Sequence, residues 1–145
     1  MFRKSWLPGL LISIGLLGCG TDPRVHPSMV GCNPGGNCKV AVTVNNCVIT
    51  VDPDPLPVPD RQRVKSIDWD IASSDGYVYV FRSNGIVFKE SNDEFDEPEL
   101  SNNGKKFTWR DKHSVAGDYR YSVNVARTGK DPKDCLTLDP VISNQ

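Results

Sequence analysis

Residues 117–126 read Gly-Asp-Tyr-Arg-Tyr-Ser-Val-Asn-Val-Ala, with Tyr119, Tyr121, Val123 and Val125 set against Arg120, Ser122, Asn124 and Ala126. A period of two sends successive side chains to opposite faces of an extended chain, so this stretch predicts a strand with one buried and one wet face. The same rhythm recurs upstream. Val40, Val42 and Val44 alternate with Ala41 and Thr43. Asn45-Asn46 can adopt left-handed conformations and turn a hairpin, and Cys47 to Val51 continues as strand. Ile67, Trp69 and Ile71 alternate with Ser66, Asp68 and Asp70. Tyr77 to Phe81 is apolar on both faces, which predicts a central strand, and Ser83-Asn84-Gly85 is expected to turn it back into Ile86 to Phe88. Phe107-Thr108-Trp109 and Leu136 to Leu138 add short strands, and no window of about twelve residues offers a helical stripe.

Roughly seven to eight strands between residues 39 and 145, joined by Gly and Asn turns, predict an all-β fold: a single antiparallel Greek-key β-sandwich. Gly117-Asp118-Tyr119-Arg120-Tyr121 resembles the Gly-x-Tyr-x-Tyr opening of a late strand in immunoglobulin-like and cupredoxin-like sandwiches. That resemblance implies architecture only, because fold does not fix function. Asp52 to Asp60 reads D-P-D-P-L-P-V-P-D. Its prolines, two apart, place every missing N–H on one side of an extended chain, so the segment belongs at a sheet edge or runs as polyproline II. At an edge they would protect it from pairing with another molecule; a proline-recognition ligand is the other reading.

The chain has 145 residues, 38% hydrophobic and 24% charged, which is material for one domain. Seventeen Lys and Arg stand against eighteen Asp and Glu, leaving no cationic excess to neutralise a nucleic-acid backbone. Arg3 and Lys4 precede an apolar stretch from Trp6 to Leu17 that is too short to cross about 30 Å of hydrocarbon, and it reads as a secretory signal.

Leu16-Leu17-Gly18-Cys19 resembles the lipobox of bacterial lipoproteins. The resemblance implies cleavage before Cys19, a diacylglyceryl thioether on its sulfur, and acylation of the new N-terminus. Each buried CH₂ contributes about 0.8 kcal/mol, so several chains anchor where one only binds reversibly. The implied partner is therefore a membrane. Gly20 stands where family members retained at the inner membrane tend to carry Asp, which implies the outer membrane, with the domain in the periplasm or on the cell surface. The expected division is a leader at 1–18, a lipidated flexible tether at 19–38 rich in Pro and Gly, and a β-sandwich at 39–145.

Setting Cys19 aside leaves Cys32, Cys38, Cys47 and Cys135, an even number in an oxidising compartment. Of the three possible connectivities, Cys32 with Cys38 would staple a Gly-rich loop and Cys47 with Cys135 would join the first and last strands; this is the expected pairing.

Chemistry is sparse. A copper centre of the cupredoxin kind needs two His, a Cys and usually a Met, whereas His26 and Met29 sit in the tether, His113 in a polar loop, and nothing suitable follows Cys135. No cysteine or histidine pairs have zinc spacing. No G-x-S-x-G elbow appears, and contiguous His113-Ser114 does not by itself make a triad. Asp68 and Asp70 would share a strand face at roughly 7 Å, a separation that glycosidases use but that wet faces show routinely. No catalytic residue, metal or other cofactor is expected. The oddity is Lys89 to Lys106, where Glu90, Asp93, Glu94, Asp96, Glu97 and Glu99 surround Phe95, with Leu100 just beyond. Read as a long irregular loop, it is either plain solvated charge or a surface that would dock a basic, partly apolar partner through Glu94, Phe95 and Asp96, the charges setting association rate and the ring filling a pocket. Calcium binding by the same carboxylates is the alternative, although the spacing is not that of an EF-hand. The function expected is therefore a membrane-anchored, non-enzymatic binding or structural module for another protein or envelope component.

Overall fold

Alternation of β-branched and aromatic residues builds two facing sheets, seen in a computed structural model that describes residues 30–33, 36–59, 66–91 and 93–145. In chain order the strands are β1 (Gly31–Cys32), β2 (Cys38–Asn45), β3 (Val48–Asp52), β4 (Leu56–Val58), β5 (Ile67–Ser73), β6 (Val78–Phe88), β7 (Phe95–Ser101), β8 (Lys106–Asp111), β9 (Gly117–Thr128), β10 (Lys133–Asp134) and β11 (Val141–Asn144). One sheet runs β1-β2-β5-β8-β7, with β3 also on β2; the other runs β10-β9-β11-β4, with β6 on β9. The all-β sandwich expected from the periodicity is what forms. Cys19, His26, Met29 and the leader lie outside the described residues.

The sheets are mixed rather than purely antiparallel. β2 pairs β5 in parallel, Cys38 opposite Ile67, and β11 pairs β4 in parallel, Ile142 opposite Leu56. The cause is the proline segment. After the β2–β3 hairpin the chain crosses to the second sheet as β4 and only then returns as β5, and such a crossover brings strands back parallel where a hairpin reverses them. β4 ends its sheet, as a strand with alternate missing donors must: Leu56 and Val58 are buried while Pro57 faces out.

Val40, Val42 and Val44 of β2, Ile67 and Trp69 of β5, and Phe107 of β8 pack against Tyr79, Phe81 and Ile86 of β6 and Tyr121, Val123 and Val125 of β9. Trp69 is fully buried, and its indole N–H donates to the Tyr121 hydroxyl at 3.2 Å, which satisfies both polar tips inside the core. Burial holds the Tyr121 phenol well above its ordinary pKa.

Four local expectations are corrected. The hairpin turns at Asn46-Cys47, not Asn45-Asn46, because Asn45 pairs Val48; both turn residues have positive φ, 48° and 62°. Ser83-Asn84-Gly85 does not reverse the chain. It lies in a bulge of β6, where register passes from Phe81↔Val125 to Ile86↔Val123, and a Cβ on Gly85 would meet the Phe81 Cβ at 2.7 Å. Among the described residues β6 pairs only with β9, so Val78 to Phe81 lies in an edge strand rather than a central one, and Tyr77 precedes it; the Lys105 ammonium closes part of that edge by donating to the Tyr79 carbonyl at 2.6 Å. Finally, residues 95–101 are strand β7 and not irregular loop. The turn into β8 has three consecutive left-handed residues, Asn102, Asn103 and Gly104, and Pro98 sits at a bulge on the sheet's edge.

β1 pairs the start of β2, so the chain enters the domain beside Cys38, with Gly31 and Cys32 already in a strand although they were expected in the tether. At this entry end lie the start of β7, the end of β8, the start of β9 and the end of β11, through Phe95↔Asp111 and Asn144↔Gly117.

Candidate functional site

The acidic segment and the histidine loop meet at the entry end. Strand alternation along β8 puts Phe107, Trp109 and Asp111 on the inward side, so the strand closes on a carboxyl that is only 2% exposed. The chain then turns through His113, whose φ is 49°, and the His113 N–H donates to Asp111 Oδ1 at 2.9 Å. Opposite, Glu94 precedes β7 and is 3% exposed. Its Oε1 accepts the Ser114 N–H and its Oε2 the Ser114 hydroxyl, both at 2.5 Å, while the Lys112 N–H donates to the Glu94 carbonyl at 2.9 Å. The Tyr119 hydroxyl donates to the Val115 carbonyl at 2.9 Å, and the Asn144 amide donates to Asp111 Oδ1 at 3.4 Å.

Phe95 is 5% exposed. Its ring stacks on Phe88 with centroids 3.9 Å apart and takes the edge of Tyr119 at 5.1 Å, so the ring expected to fill a partner's pocket fills one in its own chain. Asp96 lies directly across from Arg110 and accepts both arms of its guanidinium at 2.6 Å; Lys112 approaches it at 3.3 Å. The Arg110 guanidinium holds the Asp96 carboxyl below the ordinary carboxylate range. Glu94, Phe95 and Asp96 are thus brought together, but as members of the packing between β7, β8 and the loop after β8. What β7 offers outward is Glu97, Glu99 and Leu100, the last 41% exposed.

The two buried carboxyls are shifted in opposite directions. Burial pushes Asp111 up, and the nearby Glu94 charge adds to the rise against the His113 N–H. Burial also pushes Glu94 up, but the Ser114 hydroxyl and amide outweigh it and leave Glu94 below its usual value.

Several arrangements weighed from the sequence do not assemble. The Ser114 hydroxyl bonds Glu94 rather than a histidine, so it is not set up as a nucleophile. Asp68 is not on a wet face: it is 4% exposed, with Thr108 Oγ1 and Lys106 Nζ each at 2.9 Å. Sequence alternation placed it outward correctly, but long donors on β8 close over it. Among the described residues no group of three or more His, Cys, Asp or Glu is arranged to hold a metal ion.

No protein-family model matches this chain, and no curated protein matches it.

Elsewhere, an open cleft of about 290 Å³ is lined by Arg82, Asn84, Asn124, Asp134, Cys135 and Thr137. Its polar groups satisfy one another. Arg82 pairs with Asp134, the Asn124 amide donates to the Asn84 carbonyl, and Thr137 donates to Asn124 Oδ1. Both disulfides form as expected, Cys32–Cys38 and Cys47–Cys135, the second across 88 residues. Cys47–Cys135 fastens the β2–β3 turn of one sheet to the segment after β10 in the other. Among the described residues no helix is long and apolar enough to cross a membrane.

The buried Asp111 and Asn144 were not singled out from sequence. A signal was present: the alternation through Phe107 and Trp109 reaches Asp111 two residues on, and the step from Ile142 reaches Asn144.

Proposed function

We propose that this protein is a bacterial envelope lipoprotein, tethered to the outer membrane through an acylated Cys19, whose disulfide-stapled sandwich binds another protein or envelope component without catalysing a reaction. The observation that carries the reading is the distribution of cysteines. Four pair with one another in the folded part, as suits an oxidising compartment, and both bridges leave out the cysteine that follows Leu16-Leu17-Gly18. The contact surface in this reading is the outward edge of β7, where Glu97 and Glu99 supply charge and Leu100 an apolar tip, in place of the inward Phe95.

Two experiments test it. A Cys19→Ala variant is expected to leave the membrane fraction and become soluble; retention in that fraction contradicts the anchor. Crosslinked capture from the protein's own envelope is expected to yield a partner that a Glu97→Ala, Glu99→Ala, Leu100→Ala variant loses while folding normally. Undiminished capture moves the contact away from β7.

A further inference from the structure

β3 has one free side. Among the described residues it pairs only with β2, and the other sheet edges longer than two residues are each obstructed. β4 has its prolines, β7 has Pro98 at its bulge, and β6 meets Lys105 and the Trp109 indole N–H, which donates to the Ile86 carbonyl at 3.2 Å. Val48–Asp52 reads Val-Ile-Thr-Val-Asp, with no proline and a single charge at its end. The hairpin fixes which of its backbone groups are spare. Asn45 and Val48 close the two-residue turn as a hydrogen-bonded pair, and bonded and non-bonded pairs alternate along an antiparallel ladder. Val48, Thr50 and Asp52 therefore spend their N–H and C=O groups on β2, whereas Ile49 and Val51 aim theirs outward, where no backbone partner meets them among the described residues. The two most exposed large apolar side chains of the described residues belong to one end of this edge. Val48, 65% exposed, follows Cys47, and Leu136, 87% exposed, follows Cys135, which is bridged to Cys47.

We propose that the free side of β3 pairs with β3 of a second copy of this chain, antiparallel about a two-fold axis at Thr50, joining two six-stranded sheets into one. The strand is complementary to itself in that register. Ile49 lies opposite Val51 of the second copy, and both are residues whose backbone groups point outward, so each such pair exchanges N–H···O=C bonds in both directions. Thr50 meets Thr50 of the second copy as a non-hydrogen-bonded pair, where facing side chains are closest. Val48 meets Asp52, so no like charges face each other. The same register sets the Val48 and Leu136 end of each copy beside Pro53 and Pro55 of the other, while Asp54 is turned to the Val141 N–H of its own chain. An unrelated strand would use the same backbone groups, but the second copy satisfies backbone, side chains and charge in a single register. Five residues a side is a small contact, so the dimer is expected to be weak and to form as concentration rises. The pairing rests on neither the lipid anchor nor the β7 contact. Because β7 ends the same sheet on its opposite side, both β7 edges stay free.

Thr50 carries the test, because its side chain is exposed on the outer face of the sheet and its two copies meet on the axis. The full chain is measured by sedimentation equilibrium across a concentration series, in density-matched detergent held in excess over protein. Wild type is expected to pass from monomer to dimer as concentration rises. Thr50→Glu alone and Thr50→Lys alone each set like charges across the axis, and each is expected to weaken the dimer about tenfold. An equal mixture of the two variants is expected to associate at least as tightly as wild type, since opposite charges then meet; that recovery also shows both variants folded. Wild type that stays monomeric throughout overturns the proposal and gives the edge to a strand of another protein. A dimer that neither charge weakens, or a mixture as weak as its components, overturns it too, because the copies then join elsewhere.

Discussion

The two ends of the sandwich use aspartate in opposite ways. At the far end Asp75 accepts the Asn46 N–H at 2.5 Å, the Tyr79 hydroxyl at 2.7 Å and the Tyr77 N–H at 3.0 Å, and it joins the β2–β3 turn to β6. The Tyr79 hydroxyl holds its carboxyl below the ordinary range. The same end is closed covalently by Cys47–Cys135. At the entry end Asp111 is buried with one oxygen unpartnered, and burial raises it. Donors hold the Asp75 carboxyl down and burial lifts the Asp111 carboxyl, so the two ends are expected to change stability with pH in opposite senses.

The largest test of that contrast removes the covalent closure. Cys47→Ser with Cys135→Ser frees a loop of 88 residues, and on the chain-entropy model the loss is about 4.5 kcal/mol, read by denaturant unfolding. A loss near zero would mean that hydrogen bonds alone close the far end. Next in size is Phe95→Ala, which takes a ring from between Phe88 and Tyr119; removal of such a buried ring costs about 3 kcal/mol. Full stability in that variant would restore Phe95 to the role of a surface anchor. Opening the Cys32–Cys38 bridge releases a separation of only six residues and is expected to cost about 2 kcal/mol. A cost equal to that of the long bridge would contradict the loop-length argument.

The smallest effects have opposite signs at the two ends. A depressed carboxyl contributes stability above its unfolded value and loses it as pH falls through the folded one; a raised carboxyl does the reverse. Asp75→Asn is therefore expected to lower Tm at neutral pH and to narrow its difference from wild type in acid. Asp111→Asn is expected to flatten the decline in Tm as pH rises. Parallel pH profiles in the two variants would erase the distinction between the ends.

Periodicity made the sandwich legible because a half-buried strand writes itself as alternation, as in β2 and β9. It hid β7 because Asp96-Glu97-Pro98-Glu99 has no apolar alternation, and an edge strand with one bulge needs none. Asn102-Asn103-Gly104 was the available sign of that hairpin. The parallel pairings were not legible, since alternation says which face is buried and not which neighbour lies alongside. Glu94, Phe95 and Asp96 stood out as a charged cluster around a ring, yet composition does not reveal that Ser114, Phe88 and Arg110 already occupy them.

The central claim is a lipid-anchored domain with two internal bridges. Intact-mass and peptide mass spectrometry of the protein isolated from its envelope, before and after reduction, tests it in one sample. The account predicts a mature N-terminus at Cys19 carrying acyl groups, with Cys32 joined to Cys38 and Cys47 to Cys135. An N-terminus elsewhere, or a Cys19 sulfur found bare or bridged to another cysteine, would contradict it.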